Sequence, residues 1–292
     1  MIVDVHTHSP THVHAVPENE KRTYLGWHSG DPVSTTNSYL DYQTGMAAAD
    51  VSIVFNIHVP DTERFVGTPG DTNRINEDTA DFVAKDSNRI GFMSIDPLRH
   101  DWKEEMDKSI SLGLVGIKLG ANYQRFDPLS REALALYARA EKLSLPILFH
   151  TGASPVREAP LQYAHPLVTD EVAIRFPDLK IVMAHIGHPW VRDAIVTIRK
   201  HPNVYADVSA IYTRPWMTYE AMLMATEWGV MHKLLFGSDF PITTPKYAME
   251  RLRAVNEIVE GTNLPKISLE QIEQIIHADA LGILNLKDPR GK

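Results

Sequence analysis

Short apolar runs rich in β-branched residues alternate with amphipathic stretches along almost the whole chain. Short apolar runs are typical of buried strands, and apolar positions three or four residues apart are typical of helices with one buried face. The runs predict eight strands, at residues 2–7, 52–57, 90–95, 114–119, 146–150, 180–184, 204–208 and 234–237. The amphipathic stretches predict helices at residues 72–85, 102–111, 131–143, 167–176, 191–200, 219–228 and 247–259.

The alternation of strands and helices predicts parallel strands joined by helical crossovers. We expect an α/β fold, a closed (β/α)8 TIM barrel, although an open doubly wound sheet has the same alternation. A long loop rich in His, Pro, Gly and Ser follows strand 1, from Ser9 to about Asn37, and a second irregular stretch covers residues 151–166. Residues 268–284 predict one or two extra C-terminal helices, and we expect residues 1–292 to form one metal-dependent barrel domain.

Composition limits the classes of function that this chain can have. Its 292 residues suffice for one large barrel, and the formal net charge of −8, without any block of Lys and Arg, argues against a nucleic-acid partner. The chain has no cysteine, which excludes disulfides and leaves His, Asp, Glu and Lys as metal ligands. The N-terminus does not resemble a signal peptide, and no apolar run approaches the ~20 residues of a membrane helix. We therefore expect a cytoplasmic enzyme without a membrane partner.

Side chains that can bind a metal stand near the carboxyl ends of several predicted strands. On the first strand, His6 and His8 are two positions apart, so both imidazoles point to one face and can bind the same cation. Catalytic residues of eight-stranded barrels come from such strand ends, on several different strands. The full set is His6, His8, Lys118, His150, His185 and Asp239.

The order of the motifs around these residues resembles the amidohydrolase superfamily. The motifs are Asp-x-His-x-His at 4–8, GxKL at 116–119, FHTG at 149–152, AHxG at 184–187 and GSDFP at 237–241. More narrowly, the chain is similar to the amidohydrolase-related branch that holds aminocarboxymuconate-semialdehyde decarboxylase, γ-resorcylate decarboxylase and several lactone hydrolases. The resemblance implies one divalent cation, with zinc expected and manganese or another first-row metal as the alternative. It implies these metal ligands: His6, His8, His150 and Asp239.

The same resemblance suggests roles in catalysis for Asp239 and His185. We expect Asp239 to accept a proton from a metal-activated water, and His185 to orient that water or to stabilise negative charge on a substrate oxygen. Lys118 either is carboxylated and bridges two metals or is an unmodified cation in the pocket, and the branch favours the second. The leading hypothesis is a hydrolase of a lactone, ring or amide bond. A non-oxidative decarboxylase and a non-catalytic metal-binding barrel are the alternatives.

A small carboxylated molecule is the expected substrate, because several arginines fall in segments that face the catalytic end of the barrel. Arginine binds carboxylates through two parallel hydrogen bonds, and an aromatic side chain could pack on a planar substrate. The candidate substrate contacts are Lys118, Arg22, Arg64, Arg125, Arg214 and Trp27. The branch commonly forms homodimers, so the resemblance implies a second copy of this chain as partner.

Overall fold

Strand pairing follows chain order around a ring. The computed structural model describes residues 1–10, 38–57, 74–154, 156 and 158–291. Within these residues every strand pair is parallel and joins neighbours along the chain, in the orders β1-β2-β3 and β4-β5-β6-β7-β8-β9. The strands are β1 (Val3–His8), β2 (Val51–Phe55), β3 (Arg89–Gly91), β4 (Met93–Ser94), β5 (Ile117–Leu119), β6 (Ile147–Phe149), β7 (Ile181–Met183), β8 (Val204–Asp207) and β9 (Leu234–Leu235).

Two junctions close these strands into a barrel. Only Phe92 separates β3 from β4, and its backbone N–H still donates to Val54 O of β2 at 2.9 Å, so β3 and β4 act as one barrel strand that changes partner. At the other junction, β1 bonds to the segment after β9, where Val5 N–H donates to Phe236 O at 3.0 Å and His8 N–H to Phe240 O at 2.9 Å. Eight barrel positions result, which confirms the barrel and excludes an open sheet.

Helices surround the barrel, and several begin at residues that favour a helix start. They are α1 (Tyr39–Gly45), α2 (Ile75–Val83), α3 (Trp102–Ser111), α4 (Ala121–Gln124), α5 (Arg131–Lys142), α6 (Pro166–Arg175), α7 (Val191–Lys200), α8 (Pro215–Glu227), α9 (Pro245–Arg253), α10 (Leu269–Ile276) and α11 (Ala280–Ile283). Proline opens three of them because its missing N–H is not needed there. None of the described helices has the length and apolar character needed to cross a membrane.

The predicted elements recur with shifted ends. The expected extra C-terminal helices are α10 and α11, and the predicted helix at 247–259 is α9 followed by a 3-10 turn at Glu257–Val259. Apolar periodicity did not predict α1, which starts with a capping box in which Asp41 N–H donates to Ser38 Oγ at 3.1 Å and Ser38 N–H to Asp41 Oδ2 at 2.9 Å. The predicted loop after strand 1 lies outside the described residues from position 11 to 37.

Side-chain alternation on the strands separates two buried layers. On β6, Ile147 and Phe149 pack in the layer between the strands and the helices, whereas Leu148 faces the barrel interior with Ile53 and Phe55 of β2. The next residue along β6 in the interior direction is therefore His150. This alternation fills the lower interior with apolar groups and leaves the ends of the strands for polar ones.

Candidate metal centre

A bulge in β1 turns two histidines towards the end of the barrel. Asp4 pairs with Ser52 and Thr7 with Val54, so Val5 and His6 together oppose a single residue of β2. A bulge of this kind re-aims side chains and is common beside active sites.

Three of the predicted ligands meet at this end of the barrel. His6 Nε2 and His8 Nε2 lie 3.3 Å and 3.2 Å from the same atom, Asp239 Oδ1. Asp239 has a left-handed backbone (φ 60°), and its N–H donates to His6 O at 2.9 Å. The ligand atoms of these three residues all lie within 4.8 Å of one another. The structure therefore brings His6, His8 and Asp239 together, as their positions at strand ends predict.

A buried carboxylate ties together the two segments that carry these ligands. Asp4 Oδ1 accepts hydrogen bonds from His6 N–H at 3.1 Å and from Ser238 N–H at 2.9 Å. Burial raises the pKa of Asp4 to about 7, and its Oδ2 has no hydrogen-bond partner. Asp4 thus fixes the position of β1 relative to the backbone just before Asp239.

His150 lies at the edge of this group, directly after β6. Its ring centroid is 5.1 Å from that of His185 and 4.6 Å from that of Tyr123. Its Nε2 is buried without a hydrogen-bond partner, while a hydrogen bond to the backbone of Ala153 engages the ring, and so engages Nδ1. A buried nitrogen that nothing in the protein satisfies is the feature expected of a ligand atom.

Lys118 points into the barrel and is fully buried. Its Nζ lies 3.2 Å from His6 Nε2 and 4.4 Å from the centroid of the Phe55 ring. Burial lowers the pKa of Lys118 to about 7, against the opposing effect of Asp207 and Asp239. The lysine is therefore one of the groups that line the candidate site.

Sequence reasoning missed two residues that join His6 to His185. Asp207, at the end of β8, has its Oδ2 2.9 Å from His6 Nδ1, and its Oδ1 accepts from His185 N–H at 2.9 Å. Ser209 Oγ lies 2.8 Å from His185 Nδ1. The signal was available, because Asp207 is a polar residue at a strand end in the same way as His150. His185 itself has a left-handed backbone (φ 57°), which turns the chain sharply after β7.

The protonation states fit a divalent cation. Burial lowers the pKa of His8 to about 3 and holds the pKa values of His6 and His150 well below their usual range, so these rings are neutral and their nitrogens can bind metal. Burial raises the pKa of Asp239 to about 8, because no full positive charge balances it. Neutral imidazoles with one carboxylate form a ligand set for zinc and other first-row ions.

The other predicted substrate contacts are placed only in part. Arg22, Trp27 and Arg64 lie outside the described residues. Arg125 is exposed in a left-handed conformation (φ 59°) at the end of α4. Arg214 is half-buried before α8 and donates to Ala210 O at 3.3 Å. Their roles in substrate binding stay predictions.

Comparison with known proteins extends over nearly the whole chain. The sequence profile of the family described as Amidohydrolase matches residues 3–281. No curated protein matches significantly.

Solved structures of similar fold include both hydrolases and decarboxylases. An uncharacterized TIM-barrel protein from Bordetella bronchiseptica has a TM-score of 0.74 at 19% identity, covering 100% of this chain and 99% of that chain. A dihydroxybenzoic acid decarboxylase from Polaromonas sp. JS666, with bound manganese and 2-nitroresorcinol, has a TM-score of 0.62 at 16% identity, with coverages of 99% and 98%. A probable 2-pyrone-4,6-dicarboxylic acid hydrolase from Acinetobacter baumannii, with citric acid bound, has a TM-score of 0.59 at 14% identity, with coverages of 98% and 99%. These likenesses show a shared fold.

Proposed function

The chain belongs to the amidohydrolase family, and from that premise we propose that it is a metal-dependent hydrolase of a small carboxylated molecule. The bond cleaved would be a lactone, ring or amide C–O or C–N bond. The observation that carries the proposal is the convergence of His6 Nε2 and His8 Nε2 on Asp239 Oδ1, at 3.3 Å and 3.2 Å.

His6, His8, His150 and Asp239 would hold one divalent cation. We propose zinc, with manganese as the alternative that the decarboxylase structure with bound manganese supports. When bound, a divalent cation polarises a substrate oxygen and makes water acidic enough to lose a proton near neutral pH. Lys118 would stay unmodified, so one cation per chain is expected.

The residues around the site would divide the work of proton transfer and orientation. Asp239 is the proposed proton acceptor, and the positive charge of a cation would favour its ionised, proton-accepting form. His185 would hold the attacking water in line with the substrate carbonyl. Lys118 provides a positive charge inside the pocket for a substrate carboxylate or a developing oxyanion. Arg22, Arg64, Arg125, Arg214 and Trp27 are the further proposed substrate contacts.

A non-oxidative decarboxylase is the second candidate, because dihydroxybenzoate decarboxylases share this fold over nearly their full length. That reaction would need the site to give a proton to a substrate carbon and to release CO2. The same metal ligands would serve both reactions.

A substrate panel on metal-defined protein tests the proposal. Chelated protein is reloaded with one equivalent of zinc or manganese and given lactones, cyclic amides and hydroxybenzoic acids, each with a carboxylate. Metal-dependent ring opening without CO2 is the expected result. CO2 release would establish the decarboxylase instead, and fully loaded protein that is inert throughout would favour the non-catalytic barrel. Binding of two equivalents of metal per chain would contradict the mononuclear site and indicate a carboxylated Lys118.

A further inference from the structure

Asp207 is a buried carboxylate whose two oxygens engage four hydrogen-bonding groups. Oδ2 faces His6 Nδ1 at 2.9 Å. Oδ1 accepts from the backbone N–H groups of His185 at 2.9 Å and Ser209 at 3.0 Å, and from the Ser209 hydroxyl. One carboxylate therefore contacts both the proposed ligand His6 and the proposed catalytic residue His185.

Counting protons in this network leaves one consistent arrangement. An ionised carboxylate only accepts hydrogen bonds, so the hydrogen between Asp207 and His6 belongs to His6 Nδ1. The single Ser209 hydroxyl hydrogen is used on Asp207 Oδ1, so the Ser209 oxygen can only accept from His185 Nδ1, 2.8 Å away. A neutral imidazole carries one N–H, and the Nε2 of each ring is then left with its lone pair.

We propose that Asp207 and Ser209 are positioning residues that fix His6 and His185 as the Nδ1–H tautomers. For His6, the free Nε2 is the atom that faces Asp239. For His185, the free Nε2 is a hydrogen-bond acceptor, which suits it to orient a water or take its proton and not to donate to an oxyanion. The catalytic meaning rests on the proposed function, whereas the tautomers themselves do not.

A second contact supports the assignment for His6. Lys118 Nζ lies 3.2 Å from His6 Nε2, and an ammonium group has hydrogens to donate but no lone pair to accept with. The atom that it faces must therefore be an acceptor. Metal-binding histidines are held in the same way in other proteins, by a carboxylate on the ring nitrogen that does not bind the metal.

The tautomers can be read directly in the wild-type chain. Heteronuclear NMR of protein with isotope-labelled histidine separates protonated from bare ring nitrogens, and loss of signals in His6→Gln and His185→Gln assigns them. We expect protonated Nδ1 and bare Nε2 for both rings in the metal-free protein, and the same protonated Nδ1 after zinc is added. Either ring carrying its hydrogen on Nε2 in the metal-free protein would overturn the proposal.

Variants test the two positioning residues separately. Asp207→Asn gives His6 an amide that can donate to Nδ1, so zinc affinity measured against a competing chelator should fall about 10–100-fold. Asp170→Asn, on the outer surface, should bind zinc as wild type does. Ser209→Ala should let His185 populate the Nε2–H form, and Ser209→Thr should restore the wild-type spectrum. Unchanged zinc affinity in folded Asp207→Asn, or an unchanged His185 spectrum in Ser209→Ala, would contradict the proposal.

The outcomes separate this inference from the proposed function. A wild-type chain that binds no zinc refutes the metal-dependent hydrolase, yet its NMR spectra still confirm or refute the tautomers. If Asp207→Asn does not fold, judged by circular dichroism, the wild-type and Ser209 spectra decide.

Discussion

A histidine, an aspartate and a lysine come together in two places in this chain, and their chemistry is opposite. In the outer cluster, between α6 and α7, Lys200 Nζ lies 2.8 Å and His201 Nε2 2.6 Å from Asp170 Oδ1. Lys200 is 53% exposed. Burial opposes ionisation of Asp170, but hydrogen bonds from Lys200 and His201 outweigh it and lower the pKa of the carboxyl.

In the inner cluster the same three residue types are desolvated. His6, Lys118 and Asp239 are all buried, and burial raises the pKa of Asp239 to about 8 and lowers that of Lys118 to about 7. Proximity to opposite charge is present in both clusters, so exposure to water decides the direction of the shift. The outer cluster is an ordinary surface ion-pair group, whereas the inner one holds neutral donors and acids that a cation or substrate can use.

The largest effect that should separate the clusters is on turnover. Asp239→Asn removes the proposed proton acceptor but keeps an oxygen ligand, so kcat should fall by about 10²–10⁴-fold with metal still bound. Asp170→Asn is the matched control and should keep wild-type kcat. Metal content and steady-state rates are measured on the same preparations. Full activity of metal-loaded Asp239→Asn would remove its catalytic role.

A divalent cation should stabilise the protein through the inner cluster alone. At free zinc of 100 times Kd, the expected gain in unfolding free energy is about 2.7 kcal/mol, because the folded state binds the ion and the unfolded chain does not. His8→Ala should lose most of this gain, and His201→Ala should keep it. Denaturant unfolding with and without zinc provides the measurement. Equal stabilisation of both variants would place the bound cation elsewhere.

The two lysines should respond differently to the same substitution. Lys118→Met replaces a desolvated amine with an apolar side chain of similar length, and Asp239 can take up a proton in its place. The free energy of unfolding at pH 7 should therefore stay constant or rise, by about 1 kcal/mol or more. Lys200→Met should lose less than about 1 kcal/mol, because surface ion pairs contribute little. Severe destabilisation of metal-free Lys118→Met would mean that the buried charge stabilises the fold.

Strand ends allowed the barrel and the meeting of His6, His8 and Asp239 to be predicted from sequence. Parallel strands of a barrel share one carboxyl end, so residues far apart in sequence converge there once the strands are found. The bulge in β1 could not be predicted in this way, because it depends on how β1 pairs with β2. Strand lengths were overestimated for the same reason, as at 234–237, where only Leu234–Leu235 pairs.

Sequence alone could not rank the two clusters. Lys118 and Lys200 are both lysines beside a predicted element end, and only the packing of β1 and β2 around Lys118 makes one of them buried. The role of Asp207 was hidden similarly, since its partner His6 lies 201 residues away along the chain. Contacts of this kind depend on the closed barrel and not on local pattern.

The smallest expected effect concerns the pH dependence of the outer cluster. The pKa of Asp170 is lowered from its usual value of 3.8, so its interactions stabilise the folded state above that value, and this contribution is lost as the pH falls through the lower folded pKa. Asp170→Asn should therefore cost less than about 1 kcal/mol at pH 7, and its difference from wild type should shrink towards pH 3.

A double-mutant cycle shows whether that small loss arises from the ion pair. The coupling between Asp170→Asn and Lys200→Met, from urea unfolding at pH 7, should be a few tenths of a kcal/mol and should fall further in about 1 M salt, because salt screens exposed charges. Coupling that persists in salt and at acid pH would mean that Asp170 is effectively shielded from water, and the contrast with the inner cluster would then not be one of exposure.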